Sequence, residues 1–190
     1  MKSIILMGIK HCGKSTQGKL LGEMLELPFF DTDSLISGRT GRTPRQIYLE
    51  GGEDAFKAAE LDACTALAEQ IRASGTDAVI ATGGGICANP AALAALRPLG
   101  SFVFLQADEQ IAANRIVREV SVAADGTLSN LPAYIAAGHP QSLSDVRREF
   151  HRFYLERTSL YAAAADVTVQ MLRLPKQENA RRIMQALRPE

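Results

Sequence analysis

Short apolar runs alternate along the chain with longer segments in which apolar residues recur every three or four positions. Five runs rich in β-branched or aromatic residues predict buried strands: SIILM, PFFD, DAVIAT, SFVFLQ and DVTVQ. Most of the sequence between them has a helical period. From about Glu53 to Ser74, one apolar face consists of Phe56, Ala59, Ala63, Leu67 and Ile71. The alternation predicts an α/β fold, a parallel sheet covered by helices.

Two helix starts are marked by capping residues. Thr43 and Gln46 form a capping box around Pro44, and Asn89 followed by Pro90 marks a second start. No internal repeat or linker interrupts the pattern, so residues 1–190 are expected to form a single domain.

One segment loses the helical period and reads as an insertion. From about Val122 to Gln141 the sequence VAADGTLSNLPAYIAAGHPQ is rich in turn formers, as in a mobile surface loop. With its flanks, this insertion is expected to cover about residues 118–146.

Composition restricts the class of partner. The chain of 190 residues is 46% hydrophobic, enough for one core, and its 21 basic and 21 acidic residues cancel. This balance gives no reason to expect a nucleic-acid partner and favours a small-molecule ligand. No apolar run is long enough for a membrane span, and the three cysteines lack CxxC spacing. We therefore expect a cytoplasmic monomer without a membrane partner.

The stretch GIKHCGKST, residues 8–16, matches the phosphate-binding pattern Gly-x-x-x-x-Gly-Lys-Ser/Thr and lies between a predicted strand and helix. Its glycines let backbone N–H groups face a phosphate, and the helix start adds a positive dipole. Lys14 is expected to bridge the β- and γ-phosphates and Ser15 to ligate Mg²⁺. The alternatives are a glycine turn with an exposed lysine, or a metal site at His11 and Cys12.

The second predicted strand ends in FFDTD, which places Asp31 and Asp33 near the phosphate loop. Side chains two apart on an extended segment point the same way, so both carboxylates can enter one cleft. One can support Mg²⁺ while the other accepts a proton from a substrate hydroxyl. The alternative for Asp33 is a helix N-cap before SLI, and the two roles are compatible.

The third predicted strand ends in IATGGG. Gly83, Gly84 and Gly85 suit close approach of a ligand or backbone, with a flexible turn as the alternative. Their place on the same sheet edge as the phosphate loop favours the ligand-binding interpretation.

Taken together and in this order, GIKHCGKST, FFDTDSLI, GGEDAFKAAE, VIATGGGI and RTSLY resemble the shikimate kinase family of the nucleoside monophosphate kinase-like P-loop fold. The resemblance implies a three-layer α/β/α fold with a five-stranded parallel sheet and a mobile lid. It implies ATP and Mg²⁺ as cofactors and a small carboxylate-bearing acceptor. The residues that it assigns to the nucleotide are Gly8, Cys12, Gly13, Lys14, Ser15, Thr16 and Arg115, the last against adenine.

The resemblance also implies residues for the metal and the acceptor. Asp31 supports Mg²⁺ with Ser15, Asp33 binds or deprotonates the acceptor hydroxyl, and Arg157 binds its carboxylate. Gly83, Gly84 and Gly85 line the acceptor site.

Two positions depart from the family pattern. Lys57 stands where the family has an arginine on the substrate carboxylate, and it offers a point charge instead of a bidentate contact. Lys57 can alternatively pair with Glu53 on a solvated helix face. Leu131 stands where the lid arginine is expected. The candidates to replace that charge are Arg147, Arg148 and Arg152, each of which can equally be a solvated helix residue.

The sequence therefore predicts an ATP-dependent small-molecule kinase, with shikimate as the first acceptor to test. Another hydroxy acid, such as gluconate or homoserine, is the alternative because both departures affect the substrate side. A nucleotide-binding regulator without catalysis is a further alternative. A GTP-driven switch is disfavoured because no Asn-Lys-x-Asp element occurs.

Overall fold

The structure is a computed structural model that describes residues 2–188. Its strands are β1 (Ser3–Met7), β2 (Phe29–Asp31), β3 (Val79–Ala81), β4 (Gly100–Gln106), β5 (Ser121–Val122), β6 (Leu128–Ser129) and β7 (Val167–Gln170). Its helices are α1 (Lys14–Leu25), α2 (Thr32–Thr40), α3 (Pro44–Ser74), α4 (Pro90–Leu96), α5 (Glu109–Glu119), α6 (Ala133–Ala136), α7 (Leu143–Ala164) and α8 (Lys176–Ala186). Short 3-10 turns cover Ile86–Ala88 and Arg97–Leu99.

All five predicted strands are confirmed and form one parallel sheet in the order β2-β3-β1-β4-β7. The central strand β1 pairs with β3 and β4, which places Ile5 opposite Ile80 and Phe102. All three side chains are fully buried. Helices cover both faces of the sheet, which explains why the central strands β1, β3 and β4 are buried at consecutive positions, whereas the edge strand β7 alternates between inward and exposed residues. The predicted three-layer α/β fold is thereby confirmed.

Helix α3 begins at the predicted capping box and is divided by a glycine. Thr43 and Gln46 cap it reciprocally, and the helix breaks at Gly52, whose φ of 75° is left-handed. The second part, after this break, coincides with the segment predicted from about Glu53. Asn89 caps α4 as expected, accepting from the Ala92 backbone N–H.

The segment predicted as an irregular loop contains regular structure. Strands β5 and β6 form an antiparallel hairpin that pairs Val122 with Leu128, and α6 follows. The turn is closed by Gly126 at φ 85° and by the Thr127 N–H, which donates to the Asp125 carboxylate. An Asp-Gly pair is a strong hairpin signal, so the hairpin, which was not predicted, had a signal in the sequence.

No helix within residues 2–188 is both long and apolar enough to cross a membrane.

Candidate active site

Three loops meet at one edge of the sheet because β2, β3 and β1 are adjacent and parallel. Their carboxyl ends carry Asp31, Thr82 and the phosphate loop from Gly8, respectively. This edge is where ligands bind in open parallel sheets. The site described below is built on it.

The phosphate loop ends at Gly13, which is the N-cap of α1 with φ 103°, a left-handed backbone that favours glycine. The Lys14 ammonium donates to the carbonyl oxygens of Gly8 at 2.8 Å and Ile9 at 3.0 Å. Lys14 is buried, with 8% of its surface exposed. The alternative of a glycine turn with an exposed lysine was therefore wrong, since the loop wraps around this cation.

The Ser15 hydroxyl donates to the Asp31 carboxylate at 2.7 Å, which joins the loop to the end of β2. The other Asp31 oxygen accepts from the N–H groups of Asp33 and Ser34, so Asp31 is the N-cap of α2. The proposed N-cap role of Asp33 was therefore wrong. Asp33 lies in the first helical turn, because the strand ends earlier than an extended FFDTD would require.

Both carboxylates nevertheless line one cavity of about 490 Å³ together with Lys14, Ser15 and Gly84. Burial, and then the nearby Asp31 charge, raise the pKa of Asp33 above its ordinary value, while Lys14 acts in the opposite direction. A raised pKa increases the basicity of a carboxylate, which suits a group that accepts a proton from a hydroxyl.

A second cavity, of about 550 Å³, adjoins the first along the phosphate loop. Its lining includes the predicted nucleotide residues Cys12, Gly13, Thr16 and Arg115. Arg115 also donates a hydrogen bond to the His11 carbonyl oxygen, which fixes its guanidinium beside the loop. The elongated pair of cavities has room for a nucleotide base on one side and its phosphates on the other.

The alternative metal site at His11 and Cys12 receives no support. Among the residues that the structure describes, no group of three or more His, Cys, Asp or Glu side chains is arranged to hold a metal ion.

The first residue of the glycine run packs against the acidic residues of the site. The Gly83 N–H donates to the Thr32 hydroxyl at 2.9 Å. A Cβ at Gly83 would lie 2.7 Å from an Asp33 oxygen and 3.2 Å from a Glu60 oxygen. Close approach thus accounts for glycine at this position. Gly85 has open space instead, because a Cβ added there would have no heavy atom of the described residues within 4 Å beyond its chain neighbours.

Glu60 is a site residue that the sequence analysis missed. It lies in α3, is fully buried, and accepts a hydrogen bond from the Asn89 side chain at 3.0 Å. Burial raises the pKa of Glu60 from 4.5 to about 7, and the Asp33 charge adds to this effect. A signal was present, since Glu60 follows Phe56 by one helical repeat and lies on the apolar face of α3.

Arg157 and Lys57, the two cations expected at the acceptor carboxylate, lie near Glu60. Charges on both Arg157 and Lys57 lower the pKa of Glu60. Arg157 Nη1 contacts the Gly85 carbonyl oxygen and the Cys87 sulfur, both at 3.3 Å. The Lys57 ammonium pairs with Glu53 at 2.7 Å, so the alternative pairing is present in the structure.

Tyr161 ties the two loops together and was also missed. Its hydroxyl lies 3.1 Å from the Gly8 carbonyl oxygen and 2.8 Å from that of Gly84. The residue belongs to the quoted stretch RTSLY, and it is fully buried. This phenol therefore adds a contact between the phosphate loop and the glycine run beyond the pairing of β1 with β3.

The candidate lid arginines have partners on the protein surface. Arg148 pairs with Asp145 and Arg152 with Glu149, and the two arginine side chains are 70% and 75% exposed. Arg147, also exposed, donates to the Asn114 side chain. These contacts match the solvated-helix alternative. Leu131 is half-buried and packs against the main hydrophobic core.

A phosphate loop with a buried lysine, a hydroxyl–carboxylate pair beside it and a second carboxylate in the same cavity define a P-loop kinase site for a small molecule. A family model described as "Shikimate kinase" matches residues 10–188. The chain belongs to the shikimate kinase family, as its motifs predicted. This membership confirms the predicted class of enzyme, an ATP-dependent kinase with a small-molecule substrate.

Individual relatives agree with the family match. A shikimate kinase of Caldanaerobacter subterraneus subsp. tengcongensis is 32% identical over 157 residues, covering 80% of this chain and 83% of that protein. One of Desulforudis audaxviator is 38% identical over 121 residues, which cover 64% of this chain and 61% of the relative's length. The solved structure of "Shikimate kinase from Acinetobacter baumannii in complex with shikimate" has a TM-score of 0.76 at 25% identity, covering 97% and 92% of the two chains.

Proposed function

We propose that the protein transfers the γ-phosphoryl group of ATP to a hydroxyl of shikimate. The observation that carries the proposal is the shared cavity, in which Lys14 and Ser15 of the phosphate loop face Asp31 and Asp33. Similarity to a shikimate kinase solved with shikimate supports the choice of acceptor.

On the donor side, Lys14 is the residue proposed to neutralise the β- and γ-phosphates. Its ammonium already lies inside the loop on the Gly8 and Ile9 carbonyl oxygens, so binding exchanges these contacts for phosphate oxygens. The N–H groups at the start of α1 and the helix dipole add positive potential at the same place. Arg115 lies along the neighbouring cavity, where we place the adenine.

Ser15 and Asp31 fit the requirements of Mg²⁺. A hydroxyl and a carboxylate in contact at 2.7 Å are both hard oxygen ligands, and Mg²⁺ is commonly held by one or two carboxylates with substrate phosphates and water. When bound, the ion would neutralise charge on the transferring phosphoryl group. The second oxygen of Asp31 is held by two backbone N–H groups, which orients the carboxylate toward Ser15.

On the acceptor side, Asp33 receives the hydroxyl proton, and Arg157 holds the carboxylate. The raised pKa of Asp33 favours this proton transfer. Gly83, Gly84 and Gly85 form the adjoining wall, and Lys57 contributes positive potential. We also propose that residues 1–190 act as one cytoplasmic, monomeric kinase domain in which about 118–146 serve as the lid.

An acceptor panel tests the proposal. ADP release should depend on shikimate and exceed that with gluconate or homoserine, and kcat/KM above about 10⁴ M⁻¹s⁻¹ would lie in the ordinary enzyme range. Asp33→Asn should lower kcat far more than it changes ATP affinity, because it removes the proton acceptor and keeps the side chain's size.

Other results would decide for the alternatives. Faster turnover of another hydroxy acid would mean that Lys57 and Leu131 reflect a change of acceptor. Tight ATP binding without acceptor-dependent ADP release on the whole panel would favour the non-catalytic regulator.

A further inference from the structure

An aromatic stack connects the lid to the arginine of the acceptor site. Tyr134 in α6 stacks on Phe153 in α7 with ring centroids 3.7 Å apart and an interplanar angle of 13°. The Arg157 guanidinium carbon lies 5.0 Å from the centroid of the same Phe153 ring. Phe153 therefore holds a lid side chain and an acceptor-site side chain in one assembly.

Two hydrogen-bond donors of this assembly have no acceptor in the described part of the chain. The Tyr134 hydroxyl and Arg157 Nε are both buried, and no described residue supplies a hydrogen-bond partner for either atom. Burial raises the pKa of Tyr134, so its hydroxyl stays protonated and available as a donor. Buried polar groups normally have partners, so two orphaned donors indicate an absent acceptor.

Two charged residues from different sides of the site act on Tyr134. Arg157 lowers its pKa and Glu119 raises it, so both charges act on the phenol. Glu119 ends α5 and contacts Lys10 of the phosphate loop at 2.8 Å. The phenol is therefore within electrostatic range of the acceptor arginine and of a residue that contacts the phosphate loop.

We propose that Tyr134 is a specificity-determining residue whose hydroxyl, together with Arg157, binds the carboxylate of the acceptor. An anion matches a site where one nitrogen of a cation and a neutral hydroxyl both lack an acceptor. Lys57 is paired with Glu53 and does not supply a hydrogen bond to the acceptor carboxylate. The Tyr134 hydroxyl supplies one instead, from the lid. This inference rests on the proposed function, since it assigns the carboxylate of shikimate to this pair.

Tyr134→Phe tests the role because phenylalanine keeps the ring that stacks on Phe153 and removes only the hydroxyl. We expect KM for shikimate to rise about tenfold to hundredfold, the range of one hydrogen bond to a charged group. The kcat and the KM for ATP should stay close to wild type. With the uncharged methyl ester of shikimate, the ratio of variant to wild-type KM should fall towards one.

Tyr154→Phe is the matched control. Tyr154 is also a half-buried tyrosine near the site, but its hydroxyl already donates to the Ala107 carbonyl oxygen at 2.8 Å. Its loss should leave the KM for shikimate unchanged.

Three outcomes would contradict the inference. An unchanged KM for shikimate in Tyr134→Phe overturns it, and so does an equal rise with acid and ester, because a packing effect would not distinguish them. If the wild-type protein fails to phosphorylate shikimate, the proposed function is overturned and the inference with it. Only the wild-type measurement is needed to tell that case from the first two.

Discussion

Replacing Glu60 by glutamine should change how stability depends on pH. Glu60 is fully buried, and its pKa is raised from 4.5 to about 7 mainly by burial. Between these two values the folded protein holds a proton that the unfolded chain has lost, so the free energy of unfolding falls as pH rises. Below about pH 4.5 the carboxyl is protonated in both states and has no effect.

The magnitude follows from the difference in pKa. Each pKa unit corresponds to about 1.36 kcal/mol, so a change from 4.5 to about 7 corresponds to about 3 kcal/mol of stability lost by about pH 8. Glutamine does not titrate and keeps an oxygen that can accept from Asn89. Relative to wild type, Glu60→Gln should therefore be more stable by up to about 3 kcal/mol at about pH 8, or about 6–12 °C in Tm for a chain of this size.

Urea denaturation of both proteins at several pH values between about 5 and 8 measures the effect, because the midpoints report stability at each pH. Glu69→Gln, an exposed glutamate on the same helix, is the control and should follow the wild-type profile. Parallel profiles for wild type and Glu60→Gln would refute the reasoning, since they would mean that Glu60 carries the same charge in the folded and unfolded states.

Two further changes test the geometry of the loops. Gly83→Ala should lower kcat about a hundredfold or more, because its methyl group would lie 2.7 Å from the Asp33 carboxylate. A wild-type kcat in this variant would contradict the close-contact argument. Gly85→Ala is the comparison: the added methyl group enters open space, so Tm should stay unchanged. Tyr161→Phe removes the single hydroxyl proton that the Gly8 and Gly84 carbonyl oxygens share. Tm should fall by about 2–12 °C, for about 1–3 kcal/mol, and KM for ATP should rise. An unchanged Tm and KM would mean that the phenol does not hold the loops together.

The sequence was sufficient for features that depend on local pattern. Five apolar runs were predicted as strands, and all five form the parallel sheet. The signal was clearest for the central strands, because a strand buried on both faces has no polar alternation. The phosphate loop was predicted for a similar reason, since its glycine positions and the following helix are encoded within nine residues. The hairpin of β5 and β6 also had a local signal, Asp125–Gly126, which the prediction of a turn-rich surface loop did not use.

Other features depended on where local elements end. The sequence placed Asp31 and Asp33 in one cleft, and they do line one cavity. The expected reason was wrong, because the strand ends at Asp31 and α2 begins at the next residue. The capping role therefore belongs to Asp31, and the choice depended on a boundary that spacing alone did not define.

Only the tertiary structure decided which polar groups have partners and which lack them. Glu60 lies on the apolar face of α3 in the sequence, but its raised pKa depends on burial and on the charge of Asp33, which the fold brings near it. Tyr134 and Arg157 are 23 positions apart in the sequence, and they meet at Phe153 because α6 packs against α7. A local pattern can indicate that a position is buried, but its hydrogen-bond partners come from distant segments and are known only from the tertiary structure.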